Sequence, residues 1–332
     1  MKQISNGFCK GVNPVEIEDG TSGTYQLRDS DRETVGIFKP FDEEVNAPNN
    51  HKNQAAQFGS KTFREGILSG EGNIREVAAY ILDNQHIFDV PPTTFVEISH
   101  PYFNKKNEEL MFIENIEEIL KNGLIFQYLG NISSTKNEIK NPYLSSKKYN
   151  YIKRKYGSLQ KFVHSTGVAA DYSYSLFTVE EAHKIMILDF RILNSDRNDE
   201  NILLIKSSKK VNGKDFYKLI PIDHALSFPS CLKIGDYEMC WMSWSQAEVP
   251  FTKEEKEYIE NIDIIADMKR INENINLRED CWKYFRISNT VLKIGAKYDL
   301  TPFEIGSLMY TFDYDKKEKR KIEAIIEKKD NL

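Results

Sequence analysis

The sequence predicts an α+β protein of two lobes, a β-rich first lobe followed by a mainly helical second one. Three observations carry this. A length of 332 residues exceeds a typical single domain and suits two units, each with its own core. Short runs of β-forming residues between turn residues fill the first part of the chain, whereas marked helix starts fall after residue 165. Apolar residues at 40%, with 19 Phe and 17 Tyr, supply enough to bury both cores and exclude a disordered chain.

The first elements are strands. Tyr25 to Leu27 and Val35 to Phe38 are separated by the turn-rich Arg28 to Arg32, which reads as a hairpin with Gly20 and Gly23 at its entrance. Glycines at one mouth of a strand pair allow backbone N–H groups to lie over phosphates, and they suit an ordinary hairpin turn equally well. In "NIREVAAYILDN", Ile74, Val77, Ala78, Ile81 and Leu82 form a helical stripe. Glu76 lies off that stripe, on the face of Ala79 and Tyr80, where a carboxylate is ordinarily solvated. "VPPT" from Val90 ends the unit and a strand, "TFVEI", follows.

The stretch near 103–153 reads as an insertion rich in Lys, Asn and Tyr. At its end "SSKKYNYIKRKYGSLQK" gathers Lys147, Lys148, Lys153, Arg154, Lys155 and Lys161 without an acid. Such a run is either a solvated loop or a basic loop for peripheral contact with an anionic membrane. Beyond residue 165, Thr178 with Glu181, Thr252 with Glu255, and Thr301 with Pro302 and Glu304 fit the capping box that opens a helix. Between these helices the apolar strand Leu219 to Ile222 delivers Asp223 at its end.

Composition excludes several classes. Forty-five basic against fifty acidic residues give a net charge of −5, so no whole-protein attraction draws it to nucleic acid or anionic lipid. Four cysteines, Cys9, Cys231, Cys240 and Cys281, lie far apart with no CxxC pair, and the start lacks the apolar core of a secretory signal. A reduced, cytoplasmic protein, monomeric and soluble or peripheral on a membrane, is the expectation. No apolar run approaches the ~18 residues of a membrane span.

The most informative stretch is "DFRILNSDRNDENILL", which sets Asp196 and Asn201 five apart in a polar loop between apolar runs. Asp196, Asn198 and Glu200 could imitate a calcium loop, but that loop requires glycine at its sixth position and Asn201 stands there. Kinase-type phosphoryl transfer does fit. It needs an Asp at the attacking hydroxyl, an Asn five residues later on a metal, and a downstream Asp on metal that bridges the phosphates. The upstream parts occur in the required order: the glycine-containing loop, Lys39 at the end of a strand, and Glu76 on a helix.

"GTSGTY", "GIFKPFDEE", "GEGNIREVAAYILD", "VPPT", "GSLQKFV", "DFRILNSDRNDENILL", "IPIDHALSFP" and "WSQAEVPFTKEEKEYI" together resemble the type II phosphatidylinositol 4-kinases, most closely their plant-type gamma branch. The resemblance runs from about Gly11 to Gly306, interrupted near 103–153. It implies a bilobal lipid-kinase fold related to the protein kinases, with ATP and magnesium (Mg2+) between an N-lobe at 1–158 and a C-lobe at 165–332. Residues 159–164 would be the hinge, with Gln160, Phe162 and Val163 of "LQKFV" against adenine.

The same resemblance implies roles for single residues. Ser22, Gly23 and Thr24 would cover the ATP phosphates, Lys39 would neutralise the α and β phosphates, and Glu76 would orient Lys39. Asp196 would accept or orient the substrate hydroxyl, and Asn201 and Asp223 would ligate magnesium. Asn198 stands where many relatives carry histidine, and Glu200 where gamma-type members often have glycine. An amide cannot exchange a proton, which excludes a mechanism through that histidine; Asp199 and Glu200 are expected to face water. The clustered cysteines that mammalian type II enzymes palmitoylate are missing from this sequence, so tight constitutive anchoring is not expected.

The acceptor divides the readings. Phosphatidylinositol is the acceptor that the family name implies, and a protein serine or threonine is the alternative, since gamma-type relatives also act on proteins. A catalytically silent nucleotide-binding scaffold is a third reading, although such proteins lack counterparts of Lys39, Asp196, Asn201 or Asp223. Trp241, Met242 and Trp244 could touch a bilayer, with buried packing the expected role, and "KKEKRKIEAIIEKK" reads as a solvated amphipathic helix.

Overall fold

The computed structural model of the protein describes residues 1–103, 154–211, 214–232 and 239–310, without the side chains of 208–211 and 214. The predicted insertion and the basic C-terminal stretch fall almost wholly outside these residues. Along β2 (Tyr25–Arg28) and β3 (Thr34–Pro40) every second residue is buried, the two-residue period of a sheet with one face on a core. They pair antiparallel, Tyr25 opposite Phe38 and Leu27 opposite Gly36, as the hairpin reading expects. With β1 (Val15–Glu16), β4 (Thr93–Ser99) and β5 (Arg154–Lys161) they make an antiparallel sheet of order β1-β2-β3-β5-β4. Its core is Ile4 of α1 (Lys2–Cys9), Tyr25, Leu27, Phe38, Val96, Ile98, Phe103 and Leu159.

Phe38 points into that core, so Lys39, the next residue, faces the other way. This parity sets the lysine toward α2 (Gly72–Leu82). Helix α2 is buried on nearly all sides, Gly72 through Ala79 and Leu82. It shares the larger core with α3 (Val179–Ile192) and α6 (Glu279–Lys297): Ile74, Val77 and Ala78 belong to one cluster with Ile185, Leu188, Trp241 and Phe285. Glu76 therefore does not lie on a solvated face. The helix has two packed sides, one against each lobe, and the stripe drawn from the sequence captured only one.

A second, three-stranded sheet of β6 (Gly167–Val168), β7 (Ile202–Val211) and β8 (Lys214–Pro221) sits against α3. Among the described residues, helices α4 (Lys253–Glu260), α5 (Ile264–Asn272), α6 and α7 (Pro302–Met309) make up the rest of the lobe. Full capping boxes open α4 at Thr252 and Glu255 and α7 at Thr301 and Glu304. At α3 the expectation is half met: Thr178 caps the Glu181 N–H, but the Glu181 carboxylate turns away to accept the Leu219 N–H at 2.9 Å. It gives up the local cap to fasten α3 to β8.

The basic run before residue 161 is corrected as well. Lys147, Lys148 and Lys153 lie outside the described residues, while Arg154, Lys155 and Lys161 belong to β5. Lys155 is 2% exposed and paired with Asp42 and with Glu43 at 2.8 Å, so it offers no charge to a membrane. Trp241, Met242 and Trp244 are buried, as expected, and none of the four cysteines is in a disulfide.

Candidate active site

Four segments from distant parts of the chain converge at the end of β3. Lys39 Nζ donates to Glu76 Oε1 at 2.5 Å and to Asp223 Oδ1 at 2.9 Å. Glu76 is 2% exposed, and its second oxygen accepts the backbone N–H of His224 at 3.1 Å, so one carboxylate holds both the lysine and the segment that follows β8. Asp223 adopts a left-handed backbone conformation, φ 55°, as the chain turns out of β8. Its side chain stays 44% exposed. Burial pushes the Asp223 carboxyl up, but the Lys39 ammonium outweighs it and holds the group below the usual range. Burial likewise disfavours charge on Lys39, and the carboxylates of Asp223 and Glu76 more than compensate, keeping it firmly protonated.

The loop after α3 is assembled around one buried ion pair. Arg197 and Asp189 are both fully buried; Arg197 Nε meets the two carboxylate oxygens at 3.1 Å each, and Nη2 meets Oδ1 at 3.0 Å. The opposite edge of the guanidinium, Nη1, donates to the carbonyls of Asn201 and Ile222 at 2.8 Å each. One planar fork thus ties α3, the Asp196–Asn201 loop and the strand that delivers Asp223. The Ile222 N–H also donates to the Asn201 carbonyl at 3.0 Å, so the residue before Asp223 touches Asn201. Asn201 Nδ2 donates back to the Asp196 carbonyl at 3.2 Å. Asn198 accepts the N–H groups of Glu200 and Asn201, at 3.0 and 3.1 Å, and so caps the turn Asp199–Asn201. The amide at 198 is a structural cap, and Glu200 faces solvent.

This order of parts, a sheet lysine on a helix glutamate and a strand-end Asp beside an Asp-x-x-x-x-Asn loop, is that of the kinase-like folds. Residues 20–305 match the family described as phosphatidylinositol 3- and 4-kinase. The chain belongs to this family. It is 34% identical to phosphatidylinositol 4-kinase gamma 6 of Arabidopsis thaliana over 93% of this chain and 46% of that protein. Identity to phosphatidylinositol 4-kinase gamma 3 of the same plant is 34%, over 97% of this chain and 50% of that protein. Against phosphatidylinositol 4-kinase gamma 4 of Oryza sativa subsp. japonica it is 33%, over 97% and 49%. The chain spans about half the length of these relatives.

As a member of this kinase family the chain holds its glycine loop from beneath. The Gly23 N–H donates to the Glu43 carbonyl at 2.9 Å, and a Cβ on Gly23 would fall 2.1 Å from Glu43 Oε2. Glycine is required there by the buried acid below the loop, whatever lies above it. Asn50 Nδ2 donates to the Thr21 carbonyl at 2.8 Å, and Lys52 Nζ to the carbonyls of Ile17 and Asp19 at 3.0 and 3.1 Å. Ser22 and Thr24 are half-buried on either side of Gly23, and Thr24 precedes the Tyr25–Phe38 pair, so Thr24 and Lys39 leave their strands at one edge. Glu44, buried, accepts the N–H groups of Gly70, Gly72 and Asn73 at 3.0, 3.0 and 2.7 Å, the cap that α2 lacks from its own residues. Burial pushes its carboxyl up to about 7 in spite of these donors.

Of the predicted adenine-side residues, Gln160 lies within β5 and donates to Thr93 Oγ1 at 3.1 Å. Phe162 and Val163 follow the strand, the Phe162 N–H returning to the Val35 carbonyl at 3.1 Å. Asp196 is 23% exposed and accepts Arg64 Nη2 on Oδ1 at 2.6 Å. Burial raises its carboxyl, and the Arg64 hydrogen bond and charge pull against that. His224 is fully buried beside Arg197; burial, then that guanidinium, hold it well below its ordinary range, so it stays neutral.

Arg64, Glu43, Glu44, Asp189 and Arg197 are absent from the residues predicted for the site. Asp189 and Arg197 lie inside the stretch that drew attention, and an arginine beside an apolar run is a signal for a buried partner. Glu43 and Glu44 follow the lysine strand directly, which is the place from which a chain can reach back under its own hairpin. For Arg64 no local signal exists, since its partner is 132 positions away.

Proposed function

We propose that the protein is an ATP- and magnesium-dependent phosphotransferase acting on phosphatidylinositol, most specifically a phosphatidylinositol 4-kinase. The observation that carries the reading is the Lys39–Glu76–Asp223 cluster, joined through Arg197 to the loop bearing Asp196 and Asn201. The names of the relatives point the same way for the lipid acceptor.

Lys39 meets the α and β phosphates with an ammonium that Glu76 keeps oriented and protonated. The backbone of Ser22, Gly23 and Thr24 covers the phosphates from the hairpin side, and Gln160, Phe162 and Val163 border the adenine. The donors offered to a metal, the Asn201 amide and the Asp223 carboxylate, are hard oxygens of the kind magnesium takes when phosphates and waters complete its shell. Magnesium when bound neutralises charge that builds on the transferred phosphoryl group. Asp196 accepts or orients the proton of the attacking hydroxyl. His224, neutral and enclosed, plays no part in moving that proton.

The test is incubation with γ-labelled ATP, magnesium and phosphatidylinositol vesicles, with the labelled lipid resolved by position on the inositol ring. Label at the 4-position supports the reading. Label appearing only on protein, and lost with D196N, moves the acceptor to serine or threonine; no label anywhere with bound ATP intact leaves a nucleotide-binding scaffold.

A further inference from the structure

Arg64 sits in the loop between Glu44 and α2, far in sequence from the catalytic segment, yet its side chain is only 8% exposed and ends on Asp196. The loop that carries it is fastened on both sides. Lys61 bridges Leu68, the Ser69 N–H donates to the Ser60 carbonyl at 2.8 Å, and Thr62 Oγ1 accepts the Arg64 N–H at 3.2 Å. Across the lobe boundary, the Gly66 carbonyl accepts the Ser230 N–H, Ser230 Oγ and Arg278 Nη2 at 3.0, 3.1 and 3.0 Å. Gly66 is left-handed, φ +82°, and a Cβ there would fall 2.9 Å from the Ser230 nitrogen. Arg278 also pairs with Glu71, which pairs with Arg75 of α2, and Arg75 in turn donates to the Ser227 carbonyl at 2.5 Å. A loop nailed to α2, to α6 and to the segment after Asp223 is a bracket, not a gate. It presents one guanidinium at a fixed place.

That place matters because the like charge of Asp223 weighs on Asp196, and the Arg64 guanidinium opposes it more strongly than Arg197 does. Arg64 occupies one carboxylate oxygen, and the side chain keeps a 23% exposed face. We infer that Arg64 is a positioning residue for phosphoryl transfer: its guanidinium holds the Asp196 carboxylate in a single orientation with one face open to an acceptor hydroxyl. This rests on the reading of Asp196 as the group that meets that hydroxyl. Lysine would supply the charge without the planar hold, and glutamine neither the charge nor the reach.

The test compares wild type, R64Q, R64K, R64A and D196N with γ-labelled ATP and phosphatidylinositol vesicles, recording kcat, the KM for ATP and the melting temperature. A misplaced reactive group costs up to about 100-fold in rate, so R64Q is expected to lose roughly 10- to 100-fold in kcat with the KM for ATP unchanged. R64K falls between, and R64A regains rate when ethylguanidinium is added. R64Q at the wild-type kcat overturns the inference, as does a loss that tracks the melting temperature and does not respond to ethylguanidinium, which would make Arg64 a mere tie between loop and lobe. If D196N keeps full rate, the reading of Asp196 itself has failed; if D196N is dead and R64Q is fully active, only the role of Arg64 has. A readout that needs no acceptor accompanies these: the Arg64 side-chain N–H signal in 15N NMR, assigned by its absence in R64Q, is expected to shift in D196N, and a signal that stays put overturns the pairing.

Discussion

Replacing Arg197 by methionine, R197M, should strike stability before chemistry. The side chain is fully buried and its fork makes six contacts: three to the Asp189 oxygens, one each to the carbonyls of Asn201 and Ile222, and one to His224 Nδ1 at 3.3 Å. Methionine fills the volume and leaves Asp189, also fully buried, with Trp241 Nε1 at 3.0 Å and Asn194 Nδ2 at 2.9 Å but no compensating charge. Breaking one side of a buried ion pair costs about 3–5 kcal/mol; the Asn201 carbonyl keeps the Ile222 N–H, and the Ile222 carbonyl, which loses its Arg197 donor, adds about 1–3 kcal/mol, less whatever relaxation recovers. A loss of about 5 kcal/mol is the expectation, against a total stability on the order of 5–15. Urea unfolding followed by tryptophan fluorescence suits the question, because the Trp241 indole lies on the same carboxylate. In a D189N background the same substitution should cost at least about 2 kcal/mol less, since no charge is then stranded. A loss below about 1.5 kcal/mol, or strictly additive single and double variants, would refute the claim that this pair organises the loop.

Three further outcomes follow from the same geometry. D223A should abolish transfer, whereas D196A should lose the 10² to 10⁴ in rate typical of a general base and retain residual turnover, as measured by initial rates at saturating ATP. Asp223 titrates below its ordinary value in the fold, so its contribution to stability is fully present above about pH 4 and is lost as pH falls through the lower native value. The destabilisation caused by D223N should therefore shrink toward pH 3 in denaturant titrations, and a constant or growing difference would contradict the Lys39 pairing. Replacing Glu44 by alanine strips the cap from α2 and should destabilise by about 2–4 kcal/mol, with E44Q losing less because one of the two accepting oxygens remains while its NH2 faces the other N–H groups; equal losses in the two would show that the hydrogen bonds are not what matters.

The hairpin was legible because alternation in Tyr25 to Leu27 and Val35 to Phe38 is a local property, and the sheet repeats it residue by residue. Helix starts at Thr252 and Thr301 were legible for the same reason, since cap and partner lie three residues apart. Thr178 shows the limit: its glutamate had a better use across the fold than beside its own helix. Glu76 was placed by kinase order rather than by its helical face, because a helix packed on two sides has no single stripe. The basic run failed at Lys155, whose buried partners Asp42 and Glu43 lie more than a hundred positions earlier, and the same distance hid Arg64. Charges that meet only through tertiary structure leave no trace in local spacing.

The central claim is that Lys39, Asn201 and Asp223 surround the phosphates and metal of bound ATP. A crystal structure with a non-hydrolysable ATP analogue and magnesium tests it most directly. The expected result is an ion about 2.1 Å from oxygens of both Asn201 and Asp223, with Lys39 on the α and β phosphates and still held by Glu76. A metal ligated by neither residue, or a nucleotide bound away from Lys39, would contradict it.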